Sequence, residues 1–102
     1  MTPASLSHRA RQDLIEAVRW IAADNPTAAR GLRDAVEKAA RQIGHHPLCG
    51  MLRPDLADEN YRFLVLTGFP YVLVYTERRV PPVILRVLHG ARDLADLLHR
   101  TS

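Results

Sequence analysis

The feature that most constrains this chain is a change of period near residue 45. Before it, apolar residues recur every three or four positions. After residue 61 they alternate or run continuously in short blocks. A stretch with the first pattern buries one side of a helix, and a stretch with the second lies in a sheet. The chain therefore reads as a helical half followed by a stranded half, joined by one long loop.

In the first half, Ser7 is positioned to cap a helix from about His8 to Ala23. Ala10, Leu14, Ala17, Val18 and Ile21 form its apolar stripe, with Arg9, Asp13, Glu16 and Arg19 opposite. The segment "DNP" breaks this helix, because a residue before proline is driven out of the α region. Asn25 then caps a second helix with Pro26 at its first position. Its stripe is Ala29, Leu32, Val36, Ala39 or Ala40, and Ile43, and Gly44 offers a stop. So short a break implies an antiparallel hairpin.

The loop "HHPLCGMLRPDLADEN" follows, and then "YRFLVL", "YVLVYTE" and "PVILRVLH". These three runs are rich in β-branched and aromatic residues, and "TGFP" and "RRVPP" between them are short enough for hairpins. Leu94, Leu97 and Leu98 suggest a terminal helix, and residues 2–6 an edge strand weakened by Pro3. The expected order is (β)ααβββ(α): an α+β fold, with a helical hairpin on one face of a small, twisted antiparallel sheet. At 102 residues this makes a single domain spanning 1–102.

Composition narrows the function. No apolar run approaches the ~20 residues of a membrane span, no signal peptide is visible, and the one cysteine fits a reducing compartment. A cytoplasmic location is expected. Net charge is +3, and 13 of the 14 Lys and Arg residues are arginine. That bias suits pairing with carboxylates or phosphates and also follows from a GC-rich genome.

Four groups of residues carry possible chemistry. His45, His46 and Cys49 are metal-ligand types, but a structural site needs a second block of ligands, so neither a metal nor a cofactor is expected. Cys49 lacks a clear pKa-lowering neighbour and reads as inert. Tyr61, Tyr71 and Tyr75 lie in the strands as packing residues, and Trp20 reads as core or interface. Arg62 and Arg86 interrupt apolar strands, and alternation favours their pointing outward. In "RVLHGARD", His89, Arg86 and Arg92 could supply parts of an acid/base and phosphate-stabilising set. The alternative is structural: Asp93 caps the terminal helix, Arg92 pairs with a carboxylate, and His89 ends a strand.

Taken in order, "LSHRARQDLIEAVRWIA", "LRPDLADENYRFLVL", "YVLVYTE" and "VILRVLHGARDL" resemble the ParE branch of the RelE/ParE toxin superfamily. The resemblance covers nearly the whole chain. It implies the toxin of a type II toxin–antitoxin system of the plasmid-stabilising kind, made of two helices against a twisted sheet. It implies a ParD-like antitoxin, acidic and carrying its own DNA-binding domain, so that operator DNA is bound only through the complex. It also implies DNA gyrase as target and protein binding, not enzymatic turnover, as the mode of action. The alternatives are a RelE-like ribosome-dependent mRNA endonuclease or a non-toxic antitoxin-binding relic. Relatives that cut RNA carry a basic residue where this chain has Val72, and a further lysine where it has Leu64. Arg86, His89, Arg92, Asp93, Leu97 and Leu98 are therefore the candidate target-binding residues. Arg19, Trp20, Leu32 and Arg62 are the candidate antitoxin contacts.

Overall fold

The computed structural model describes residues 2–94 and residue 96. The elements run β1 (Ser5–Leu6), α1 (His8–Ala22), α2 (Pro26–His45), β2 (Arg62–Val65), β3 (Tyr71–Thr76) and β4 (Val83–His89). Residues 92–94 and 96 are helical, while Leu97 and Leu98 lie outside the described residues.

Both helix starts follow their sequence signals. The Ser7 hydroxyl accepts the Ala10 N–H at 3.1 Å, and the Asn25 side-chain oxygen accepts that of Ala28 at 3.1 Å. Every member of the α2 stripe is buried. Gly44, expected as a stop, instead lies inside the last turn. A Cβ there would stand 2.9 Å from Pro3 Cα, so the missing side chain lets the N-terminal segment cross the helix end. That crossing is fixed by the Ala4 N–H donating to Ala40 O at 2.9 Å.

The sheet has the order β1-β4-β3-β2 and is mixed, which corrects the expectation of a purely antiparallel one. β2, β3 and β4 form the antiparallel meander, but β1 runs parallel to β4. Pro3 does not prevent this, because the ladder begins after it: Ser5 N–H donates to Pro82 O and Ser7 N–H to Ile84 O, both at 2.9 Å. β1 covers only the first part of β4, which leaves the later edge of β4 without a strand partner.

All six residues of the central strand β3 are buried, because both sheet faces are covered. On one face Tyr71, Leu73 and Tyr75 meet Leu32, Val36, Ile43 and the α1 stripe. On the other, Phe63, Val72, Val74 and Leu88 pack with Leu56 of the long loop, Tyr61 and Leu94. The sequence pattern showed the first layer and not this smaller second one.

Candidate functional site

The arginines of the strands are not outward grips. On α1, helical spacing alone puts Asp13 on the solvent face. Its carboxylate is instead only 9% exposed and closes the open edge of β4. Arg86 Nε donates to Asp13 Oδ2 at 2.8 Å, Arg86 Nη2 donates to Oδ1 at 3.3 Å, and the Val87 N–H donates to Oδ2 at 3.0 Å. Where β1 ends, a side chain thus takes over the strand partner's hydrogen bond. The Ser7 hydroxyl does the same for Leu85 O at 3.1 Å.

Arg62 is held from within as well. Its Nη1 donates to Gly50 O at 2.9 Å, and its buried Nε faces Glu77 Oε1 at 3.9 Å, beyond hydrogen-bond reach. Beside it the Tyr75 hydroxyl donates to Pro47 O at 2.7 Å and accepts the Gly50 N–H at 2.8 Å. A Cβ on Gly50 would stand 2.6 Å from the Tyr75 ring, so only glycine admits this approach. Burial pushes the Tyr75 hydroxyl up to about 12. Cys49 Sγ lies 3.8 Å from that hydroxyl. The Arg62–Tyr75 cluster anchors residues 47–50 to the sheet. Among the described residues, no group of three His, Cys, Asp or Glu side chains is placed to hold a metal.

The His–Arg–Asp cluster is a turn between strand and tail. His89 ends β4 as expected, but it is His89 and not Asp93 that caps the following turn. Its Nδ1 accepts the Arg92 N–H at 3.3 Å, while Asp93 Oδ2 accepts the His89 N–H at 2.7 Å. This reciprocal arrangement resembles a capping box with histidine in place of serine. The Asp93 carboxyl is pushed up by partial burial, but the His89 N–H and the Arg92 guanidinium outweigh this and hold it below its ordinary range. The His89 ring also meets Tyr71 edge-on, with centroids 5.4 Å apart.

α1 separates two grooves. The side toward β4 carries Asp13, Glu16 and Trp20, which share a groove with Tyr71, Arg92 and Asp93. Trp20 is 77% exposed there, so it is not a core residue. The other side carries Arg11, Ile15 and Arg19, one i, i+4, i+8 row, beside a second groove that Leu6, Leu14, Val18 and Arg33 help to line. Arg19 and Trp20, grouped by their adjacency in sequence, therefore face different grooves. Leu32 is fully buried in the main core, which corrects its placement among exposed antitoxin contacts. Glu16, Arg11 and Arg33 were not singled out from sequence, although the 11/15/19 row is legible there once α1 is drawn as a helix.

Residues 4–94 match a family profile described as the ParE toxin of type II toxin-antitoxin system, parDE. The chain belongs to the ParE toxin family. Among solved structures it is similar to a chain of the chromosomal ParDE toxin–antitoxin system from P. aeruginosa. The TM-score is 0.72 at 18% identity, covering 87% of this chain and 96% of that one. At that identity the likeness establishes a shared fold. Among curated proteins, none matches the sequence. This ParE-family chain has no helix among its described residues long and apolar enough to cross a membrane.

Proposed function

We propose that this ParE-family toxin acts in the cytoplasm by binding a protein target, DNA gyrase, and is neutralised by an acidic, ParD-like antitoxin that brings the complex to operator DNA. The observation that carries the reading against RNA cleavage is the state of the sheet. Val72, where RNA-cutting relatives carry a cation, is packed between Phe63, Leu88 and Leu56. Arg62 is held by Gly50 O and Arg86 by Asp13, so neither points outward as a free phosphate grip. An RNA-cleaving site needs free cations to stabilise the phosphorane, and each missing donor costs on the order of 100-fold in rate. His89 cannot make up for them alone, since its Nδ1 already accepts a backbone N–H.

Target contact is assigned to the end of β4 and the turn after it, where His89, Arg92 and Asp93 stand beside exposed Trp20. The experiment is expression of the chain without antitoxin, followed by primer extension on abundant transcripts. Growth arrest with intact transcripts is expected, relieved by co-expressing a cognate ParD-like antitoxin. Cuts at ribosomal A-site codons would establish the endonuclease alternative, and unimpaired growth the relic.

A further inference from the structure

The groove between α1 and the end of β4 differs in charge from the chain as a whole. The net charge is +3, yet Asp13, Glu16 and Asp93 line this groove against Arg92 alone. Two of the carboxylates are engaged, Asp13 by Arg86 and the Val87 N–H, and Asp93 by Arg92 and the His89 N–H. Glu16 is exposed and has no ion-pair partner among the described residues. Four residues on, Trp20 stands exposed on the same face of α1. Beneath them Tyr71 is only 6% exposed, and its hydroxyl has no hydrogen-bond partner among the described residues. Among those residues, Arg62 Nε is the one fully enclosed side-chain polar atom left without a partner. The Tyr71 hydroxyl is therefore not sealed in the core but opens into the groove that its side chain lines. A buried phenol is ordinarily hydrogen-bonded, so an occupant of this groove meets an unused polar atom at its floor.

We propose that this groove receives an arginine side chain of the protein target. Its guanidinium lies on the Trp20 ring, pairs with Glu16 and donates to the Tyr71 hydroxyl, while its methylene stem runs over Ala17 and Val87. Arginine fits the three groups together, because a planar, forked cation stacks on an aromatic face and donates within its own plane. The space of about 200 Å³ is below the roughly 300–1,000 Å³ of ordinary small-molecule sites and suits a single side chain. A phosphate would meet three carboxylates, and Arg92 already turns its Nε to Asp93 at 3.2 Å. A metal ion would find no group of three ligands among the described residues. The inference rests on the protein-target reading for the source of the arginine, and it names the chemistry that the end of β4 recognises there.

Trp20 is the only tryptophan of the chain, so its fluorescence reads the groove directly. The full chain is titrated at constant ionic strength with the capped tripeptide Gly-Arg-Gly and with Gly-citrulline-Gly, in which a neutral urea replaces the guanidinium. A saturable shift of the Trp20 emission is expected with the arginine peptide, at roughly tenfold lower concentration than with the citrulline peptide. Glu16→Gln should weaken arginine binding roughly threefold and Tyr71→Phe roughly fivefold. Glu37→Gln, the same change on an exposed α2 position outside the groove, leaves it unaltered. No saturable shift, an equal response to both peptides, or undiminished affinity in either groove variant with native circular dichroism overturns the inference. Glu16→Gln is then compared with the unaltered chain in the inhibition of gyrase supercoiling, where the half-inhibiting concentration should rise by a similar factor. Unchanged inhibition by that variant removes the groove as a target contact while leaving the target reading intact. An unaltered chain that does not inhibit gyrase removes that target and leaves the peptide result standing.

Discussion

Replacing Asp13 with alanine tests whether one carboxylate closes the β4 edge. Two consequences follow in the folded state. The Val87 N–H loses its acceptor in a partly buried setting, at a cost of about 1–3 kcal/mol. Arg86 loses a bidentate partner as well. Breaking a fully buried pair costs about 3–5 kcal/mol, but the Arg86 side chain is 35% exposed, so solvent reduces this to about 1 kcal/mol. Together the substitution should destabilise the chain by about 3 kcal/mol, a fall in Tm of roughly 15 °C for a domain this size. Urea unfolding followed by far-ultraviolet circular dichroism measures it. Asp13→Asn, which keeps a carbonyl acceptor for Val87 while losing the charge, should cost roughly half as much. A double-mutant cycle with Arg86→Met should return a coupling of about 1 kcal/mol. If Asp13→Ala lies within about 0.5 kcal/mol of the unaltered chain, as an ordinary surface substitution would, the edge-closing role is wrong.

Leu32→Ala should cost about 2–5 kcal/mol by leaving a cavity under α2, and any loss of antitoxin binding should track unfolding; weakened binding at native stability would restore Leu32 as a contact. Tyr75 should make stability fall as pH rises from about 10 to about 12, because the folded chain keeps a proton that the unfolded chain releases. Tyr75→Phe should flatten that alkaline arm, and an unchanged pH profile would refute the burial argument. Asp93 has the opposite sign, since its folded form releases its proton more readily. Its contribution should be present above about pH 4 and fade as pH falls through the lowered folded value. Asp93→Asn should therefore narrow its stability gap to the unaltered chain on acidification, and a gap independent of pH would count against the turn. Arg92→Glu should weaken growth arrest more than antitoxin binding, and equal loss of both would point to a folding role.

The periods, the two caps and the α2 stripe were legible because each is a local property, decided within a turn or two of helix. What escaped was set by contacts distant in sequence. Asp13 and Arg86 are 73 residues apart, and helical spacing alone placed Asp13 among the solvent-facing residues. Only the early end of β1 explains why a carboxylate is drawn inward there. Strand alternation likewise directs Arg62 to solvent, whereas the 47–50 segment folds back to supply a carbonyl for it. Leu32 belongs to the α2 stripe and not to an exposed surface, since a leucine in the centre of such a stripe is covered by the sheet. Gly44 had the sequence of a helix stop and the role of a crossing point. The family resemblance was legible because "RVLHGARD" joins a strand end, a turn and a tail in one contiguous stretch.

If this ParE-family chain arrests growth by holding a protein target and not by cutting RNA, the effect is visible on the target itself. Purified chain added to DNA gyrase with relaxed plasmid tests it most directly. Supercoiling should be inhibited and cleaved DNA should accumulate, both reversed by prior addition of the antitoxin. Protein that arrests cells on expression yet leaves gyrase supercoiling and cleavage unchanged would contradict the assigned target.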